Sequence, residues 1–148
     1  MKQVIMLALV LTSIITSAFA NNTDAINQKV LNSFSKNFAK AEDVKWEIRK
    51  DLYKATFKIY GQVMFAYYSE AGQQVAVSRN ISISQLPIDL ASELQSLYNK
   101  EYWLTDLFEV SANGETAYYA TVENSTHVSI LKADGVSAWM VFKKDKKQ

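Results

Sequence analysis

The chain has 148 residues and a formal net charge of +1, with 49% hydrophobic and 21% charged residues, no cysteine and one histidine. That composition belongs to a folded chain of domain size, not to a disordered one. The missing cysteines exclude disulfides, thiolate metal centres, iron–sulfur clusters and cysteine nucleophiles, and a single histidine leaves no histidine-rich metal site.

Lys2 is the only charge in residues 1–20, and an apolar run from Val4 to Ile15 is broken only by Thr12 and Ser13. Ala18 and Ala20 then form an A-x-A site, so the segment is a secretory leader with cleavage expected after Ala20. The run falls short of the about 18 apolar residues needed to cross a bilayer, and no later stretch approaches that length. The protein is therefore expected to be exported, to the periplasm or beyond, with no transmembrane segment after leader removal.

The 128 residues that follow carry 15 basic and 15 acidic side chains, unevenly placed: +3 over residues 21–83, −6 over 84–142, and +3 in 143–148. Neither half is basic enough to track a phosphate backbone, so no nucleic-acid partner is expected. The final lysines read as a solvated basic tail.

Ile26, Val30, Leu31, Phe34 and Phe38 recur at helical spacing behind the capping residues Asn22-Thr23-Asp24. The period then changes to two. Val44-x-Trp46-x-Ile48 and Tyr53-x-Ala55-x-Phe57-x-Ile59 alternate with charged or polar residues, Gly61 marks a turn, Val63, Phe65 and Tyr67 follow, and a strand begins at Val75 after Gly72. Helical spacing returns after Pro87 with Leu90, Leu94, Leu97 and Tyr98. Four more strands are expected over 105–111, 116–123, 127–132 and 136–142, with Asn113-Gly114 and Asp134-Gly135 as tight turns. The pattern is an α+β fold in which one helix and four antiparallel strands occur twice, over residues 21–83 and 84–142. An offset of about 63 aligns the copies, and each helix is expected to cover its own sheet.

The chain resembles the PepSY-like family of bacterial exported proteins that share the β-lactamase-inhibitor-protein fold. The resemblance rests on the leader, Phe34-x-x-x-Phe38 leading to Val44-x-Trp46, Tyr53-x-Ala55-x-Phe57, the segment Phe65-Ala66-Tyr67-Tyr68-Ser69-Glu70-Ala71-Gly72, and Ile83-x-x-Leu86-Pro87. It implies a tandem α+β module, with protein binding or protease inhibition among related modules. It carries no catalytic motif, and the disulfides of the β-lactamase inhibitor itself have no counterpart here.

Alternation from the inward positions leaves Tyr60, Met64, Tyr68, Tyr119, Leu131 and Trp139 on an outward face that should be mostly polar. Such residues favour interface cores, which points to a protein or peptide partner on an open sheet face. Packing between the two units is the other explanation, and a cleft there, with Trp103 and Trp139 stacking on a small molecule or glycan, is the alternative site. Trp46 reads as core. His127 stands alone on a strand, with no nucleophile elbow or phosphate-cradling loop in the chain, so no enzyme activity, cofactor or metal is expected.

Overall fold

The computed structural model describes residues 23–98, 101–135 and 138–147. The leader and its Ala18–Ala20 site lie outside the described residues.

After a 3-10 turn at Thr23–Ala25 the chain forms helix α1 (Gln28–Asn37). The Asn27 side chain accepts a hydrogen bond from the Lys29 N–H at 2.9 Å, satisfying one of the donors a helix N-terminus leaves open. Strands β1 (Glu42–Arg49), β2 (Leu52–Ile59), β3 (Gln62–Ser69) and β4 (Gln74–Asn80) follow. A second 3-10 turn (Ile83–Gln85) leads to helix α2 (Ile88–Tyr98), and then come β5 (Trp103–Ala112), β6 (Glu115–Glu123), β7 (His127–Ala133) and β8 (Met140–Lys146). Pro87 stands just ahead of α2, where its carbonyl accepts from the Ala91 N–H at 2.9 Å and its own missing N–H costs nothing.

The eight strands form one antiparallel sheet in the order β1 to β8. The expectation of a separate sheet for each helix is corrected by the pairing of β4 with β5, from Val77 opposite Ser111 to Asn80 opposite Phe108. Two four-stranded sheets would expose four edges, and joining them satisfies the backbone groups of two. The basic tail is corrected as well. Lys143, Lys144 and Asp145 pair with β7, and the Lys147 ammonium lies 2.6 Å from the Glu123 carboxylate. Lysines along an outermost strand discourage further strands from adding there.

Both helices pack on the same side of the sheet. Ile26 and the α1 residues Val30 and Phe34 pack on Trp46, Ala55, Phe57, Ala66 and Tyr68 of the sheet, so Trp46 is core as expected. Leu86 and the α2 residues Leu90 and Leu94 pack on Leu107, Ala120, Val122, Leu131 and Trp139. Tyr60 and Gly61 (φ 51° and 79°) and Asn113 and Gly114 (φ 54° and 80°) make two-residue hairpin turns whose positive φ matches the twist of the strands.

Gly72 has a stricter role. It has φ +82°, and a Cβ there would stand 2.9 Å from the Lys29 carbonyl oxygen of α1. The same turn receives the Asn27 amide, which donates to the Glu70 carbonyl at 3.2 Å. Gly72→Ala is therefore expected to cost about 2 kcal/mol, from left-handed backbone plus a backbone clash. Gly114→Ala, at φ +80° in open space, should cost only about 1 kcal/mol. Denaturant melts of the two variants check the difference.

Candidate functional site: the open sheet face

Strand pairing assigns each residue to a face, because directly opposed residues share one. Trp46, Ala55, Ala66 and Val77 are successive partners and lie beneath the helices. One residue along, Thr56, Phe65, Ser78, Val110 and Ala117 are successive partners and lie on the other face. Asn80, Phe108, Tyr119 and Lys132 form a parallel row on that face.

No described helix residue packs on this second face, yet it has its own apolar cluster. Tyr67, Ala76, Val110 and Tyr119 are buried there, ringed by Phe65, Phe108, Ile130 and Phe142. An alanine on an uncovered sheet stays buried only if larger neighbours close over it, as on a sheet curled toward that side. Register shifts in four of the strand pairs supply local bends of this kind. Phe65 and Phe108 meet across the β4–β5 seam at 6.3 Å between ring centres, and Phe142 meets Tyr119 edge-on at 5.7 Å. The Lys54 ammonium sits 4.9 Å over the Phe65 ring and that of Lys132 5.9 Å over Tyr119, both within cation–π range.

Polar groups on this face are strained by burial. The Tyr119 hydroxyl and the Ser78 hydroxyl are buried with no hydrogen-bond partner among the described residues. Burial pushes the Tyr119 phenol up to about 12, because its anion would be left without water. Lys54 is almost fully buried, and desolvation lowers its ammonium below the usual lysine value, while Glu47 at 3.6 Å partly restores it. Glu47 also binds Arg49 at 2.7 Å, so this corner of the face is an ionic triad. At the far end, burial raises the Asp106 carboxyl, and the charge of Glu123 adds to the rise.

The structure corrects most of the residues expected to form the outward aromatic set. Tyr68 is fully buried under α1, between Phe34 and Trp46. Leu131 and Trp139 are core under α2, and Met64 is half-buried against the α1 core. Tyr119 does lie on the open face, but buried within its cluster. Tyr60 is 84% exposed at a hairpin tip, where it hydrogen-bonds Lys40 at 2.9 Å, away from the aromatic cluster. The stacking cleft loses Trp139 too, since its indole N–H donates to the Leu90 carbonyl at 2.9 Å. Between the halves, on the helix side, the β4–β5 seam carries a bidentate Arg79–Glu109 pair at 3.0 and 3.2 Å. Trp103 is half-exposed at the start of β5, beneath the Lys147 ammonium at 5.1 Å. His127 places Nδ1 2.8 Å from the Thr126 hydroxyl, within a turn that the Asn124 side chain organises through the backbone N–H groups of Thr126 and His127.

Phe65, Tyr67, Phe108 and Phe142 were therefore missed, and turn arithmetic would have found the first two. A two-residue turn at Tyr60-Gly61 sets Ile59 opposite Gln62 and hence Thr56 opposite Phe65. With Ala55 facing the helix, Phe65 and Tyr67 must face away.

Eight antiparallel strands with two helices on one side define an α+β module with one covered and one open sheet face. Solved structures show the same fold. The chain superposes on a DUF2874 family protein from Bacteroides uniformis ATCC 8492 with a TM-score of 0.71 and 11% identity, over 81% of this chain and 88% of that one. A DUF2874 family protein from Bacteroides ovatus ATCC 8483 gives 0.66 and 17%, over 80% and 86%. A BLIP-like protein from Bacteroides fragilis NCTC 9343 gives 0.68 and 17%, over 81% and 85%, so the fold is β-lactamase-inhibitor-like. No family model and no curated protein matches the chain by sequence. Among the described residues no helix is long and apolar enough to cross a membrane, and no group of three or more His, Asp or Glu stands ready to hold a metal.

Proposed function

We propose that the protein is an exported, non-enzymatic binding module that holds a protein or peptide partner on the open sheet face. The observation that carries this reading is the Phe65–Tyr67–Phe108–Tyr119–Phe142 cluster, aromatic and uncovered by any described helix, with two buried hydroxyls on the same face that have no partner among the described residues. Aromatic anchors amid polar groups are the usual composition of an interface core. A BLIP-like neighbour supports a protein as the partner, and the leader at residues 1–20 supports export. So does a similar fold in a protein from Bacteroides eggerthii DSM 20697 described as a prospective periplasmic protein. The DUF2874 and BLIP-like neighbours fit a role without catalysis. The PepSY-like resemblance and the duplication belong to the same reading. Ile26, Val30 and Phe34 of one half and Leu86, Leu90 and Leu94 of the other are buried at the same spacing, an offset of 60 in the helices rather than the expected 63 or so, which supports a duplication.

Immobilised mature protein should retain a stoichiometric partner from an envelope extract of the source cells. Phe65→Ser with Phe108→Ser should release it while the far-ultraviolet spectrum stays that of the folded chain. Retention by that folded double variant would sink the proposal.

A further inference from the structure

A pocket of about 190 Å³ opens on the helix side of the second half, away from the aromatic face. Its wall is apolar, from Leu97 at the end of α2, Tyr102, Val122, Leu131 and Val141. Two polar groups interrupt that wall, Ser129 and Lys144, which are direct cross-strand partners on β7 and β8 and so share the face. Ser129 is only 5% exposed and brings a hydroxyl to the pocket lining. Lys144 is exposed and, among the described residues, has no carboxylate partner, unlike Lys143 and Lys147, which pair with Asp145 and Glu123. Lys146 follows two residues later on the same face, opposite His127.

The geometry points to a binding site for a small amphipathic carboxylic acid, with its chain in the apolar pocket and its carboxylate between the Ser129 hydroxyl and the Lys144 ammonium. Each feature answers a separate part of that ligand. A water-sized group fills about 30 Å³, so the pocket takes roughly six chain atoms, and its open mouth allows one or two more. A serine hydroxyl set in an otherwise apolar wall can donate a hydrogen bond to a ligand oxygen. A lysine at the rim of an apolar hollow favours an anion over the neutral molecule of the same length. The open aromatic face plays no part, so this site stands whether or not that face binds a protein.

Octanoate and octan-1-ol, titrated into isotope-labelled mature protein and followed by amide NMR shifts, separate the contributions. Octanoate should shift Ser129, Leu131 and Val141 saturably and bind about five-fold more tightly than octanol, the scale of one exposed ion pair. Lys144→Gln should bring octanoate down to the octanol level and leave octanol unchanged. Val141→Trp, at a position 64% exposed on the outermost strand, should fill the mouth and abolish both. Equal affinity for acid and alcohol, shifts centred on Phe65 and Tyr119, no saturable shift, or binding that survives Val141→Trp would each overturn the assignment.

Discussion

Tyr68→Ser and Trp139→Ser are each expected to lower stability by about 3–5 kcal/mol, the range for removing a large buried aromatic. A domain of this size is stable by only about 5–15 kcal/mol, so either variant should be largely unfolded well below the wild-type Tm. Tyr68 is 0% exposed, its ring 6.3 Å from those of Phe34 and Trp46. Phe34 in turn touches Trp46 at 5.1 Å and Phe57 at 5.0 Å, so a cavity at Tyr68 loosens the stack that fastens α1 to the sheet. The Tyr68 hydroxyl adds a weaker tie, 3.5 Å from both the Asn37 amide and Gln74. Trp139 closes the other core. Its indole donates to the Leu90 carbonyl at 2.9 Å and its backbone N–H approaches Glu93 at 3.4 Å, so it holds the start of β8 against α2. Serine at either position leaves a void and strands polar groups. Urea denaturation followed by tryptophan fluorescence and circular dichroism measures the loss. A change below about 1 kcal/mol in either variant would mean that the side chain is a surface group after all.

The same two residues show where sequence reading succeeds and where it fails. Strands such as Tyr53–Ile59 alternate apolar with charged or polar residues, and the helix stripes have only one apolar side, so the face that meets the helix has one solution. Strand β3 reads Gln62-Val-Met-Phe-Ala-Tyr-Tyr-Ser69, apolar at both phases, because one face meets α1 and the other meets the open aromatic cluster. Alternation carries no phase in such a strand. A one-residue error moves every side chain to the wrong face, which is how Met64 and Tyr68 came to be assigned outward. Strand β7 failed for a related reason. Its loop back to β6 is longer than two residues and does not announce the register that sets Ala120 opposite Leu131. The β4–β5 seam was not legible at all, since the chain leaves the sheet through α2 between those strands and their pairing depends on tertiary packing. The terminal lysines read as a tail because the end of β8, Lys143 to Lys146, is charged at every position and mostly exposed, so it has no apolar alternation to mark a strand.

Tyr119→Phe reports on the open face itself, and its sign depends on pH. Near neutrality the phenol is protonated in both folded and unfolded chains. The variant then removes only a buried hydroxyl with no partner among the described residues, so stability should rise by about 1 kcal/mol. Above pH 10 the states diverge. The unfolded phenol ionises near its ordinary value of 10.0, while burial holds the folded one to about 12. Between those limits the unfolded chain has released a proton that the folded chain keeps, so stability falls as pH rises, by about 1.4 kcal/mol per unit at the steepest. The wild type should lose about 2 kcal/mol more than Tyr119→Phe between pH 10 and pH 12, and the lysines and Tyr68 common to both cancel in the comparison. Parallel denaturation curves for the two proteins across that window, or a Tm that drops in the variant at pH 7, would show the hydroxyl to be solvated or hydrogen-bonded. A bound partner that supplies an acceptor to this hydroxyl should reverse the neutral-pH preference, making the wild type the tighter binder and the variant the more stable free protein. That opposition is what a face kept for recognition, rather than for folding, is expected to display.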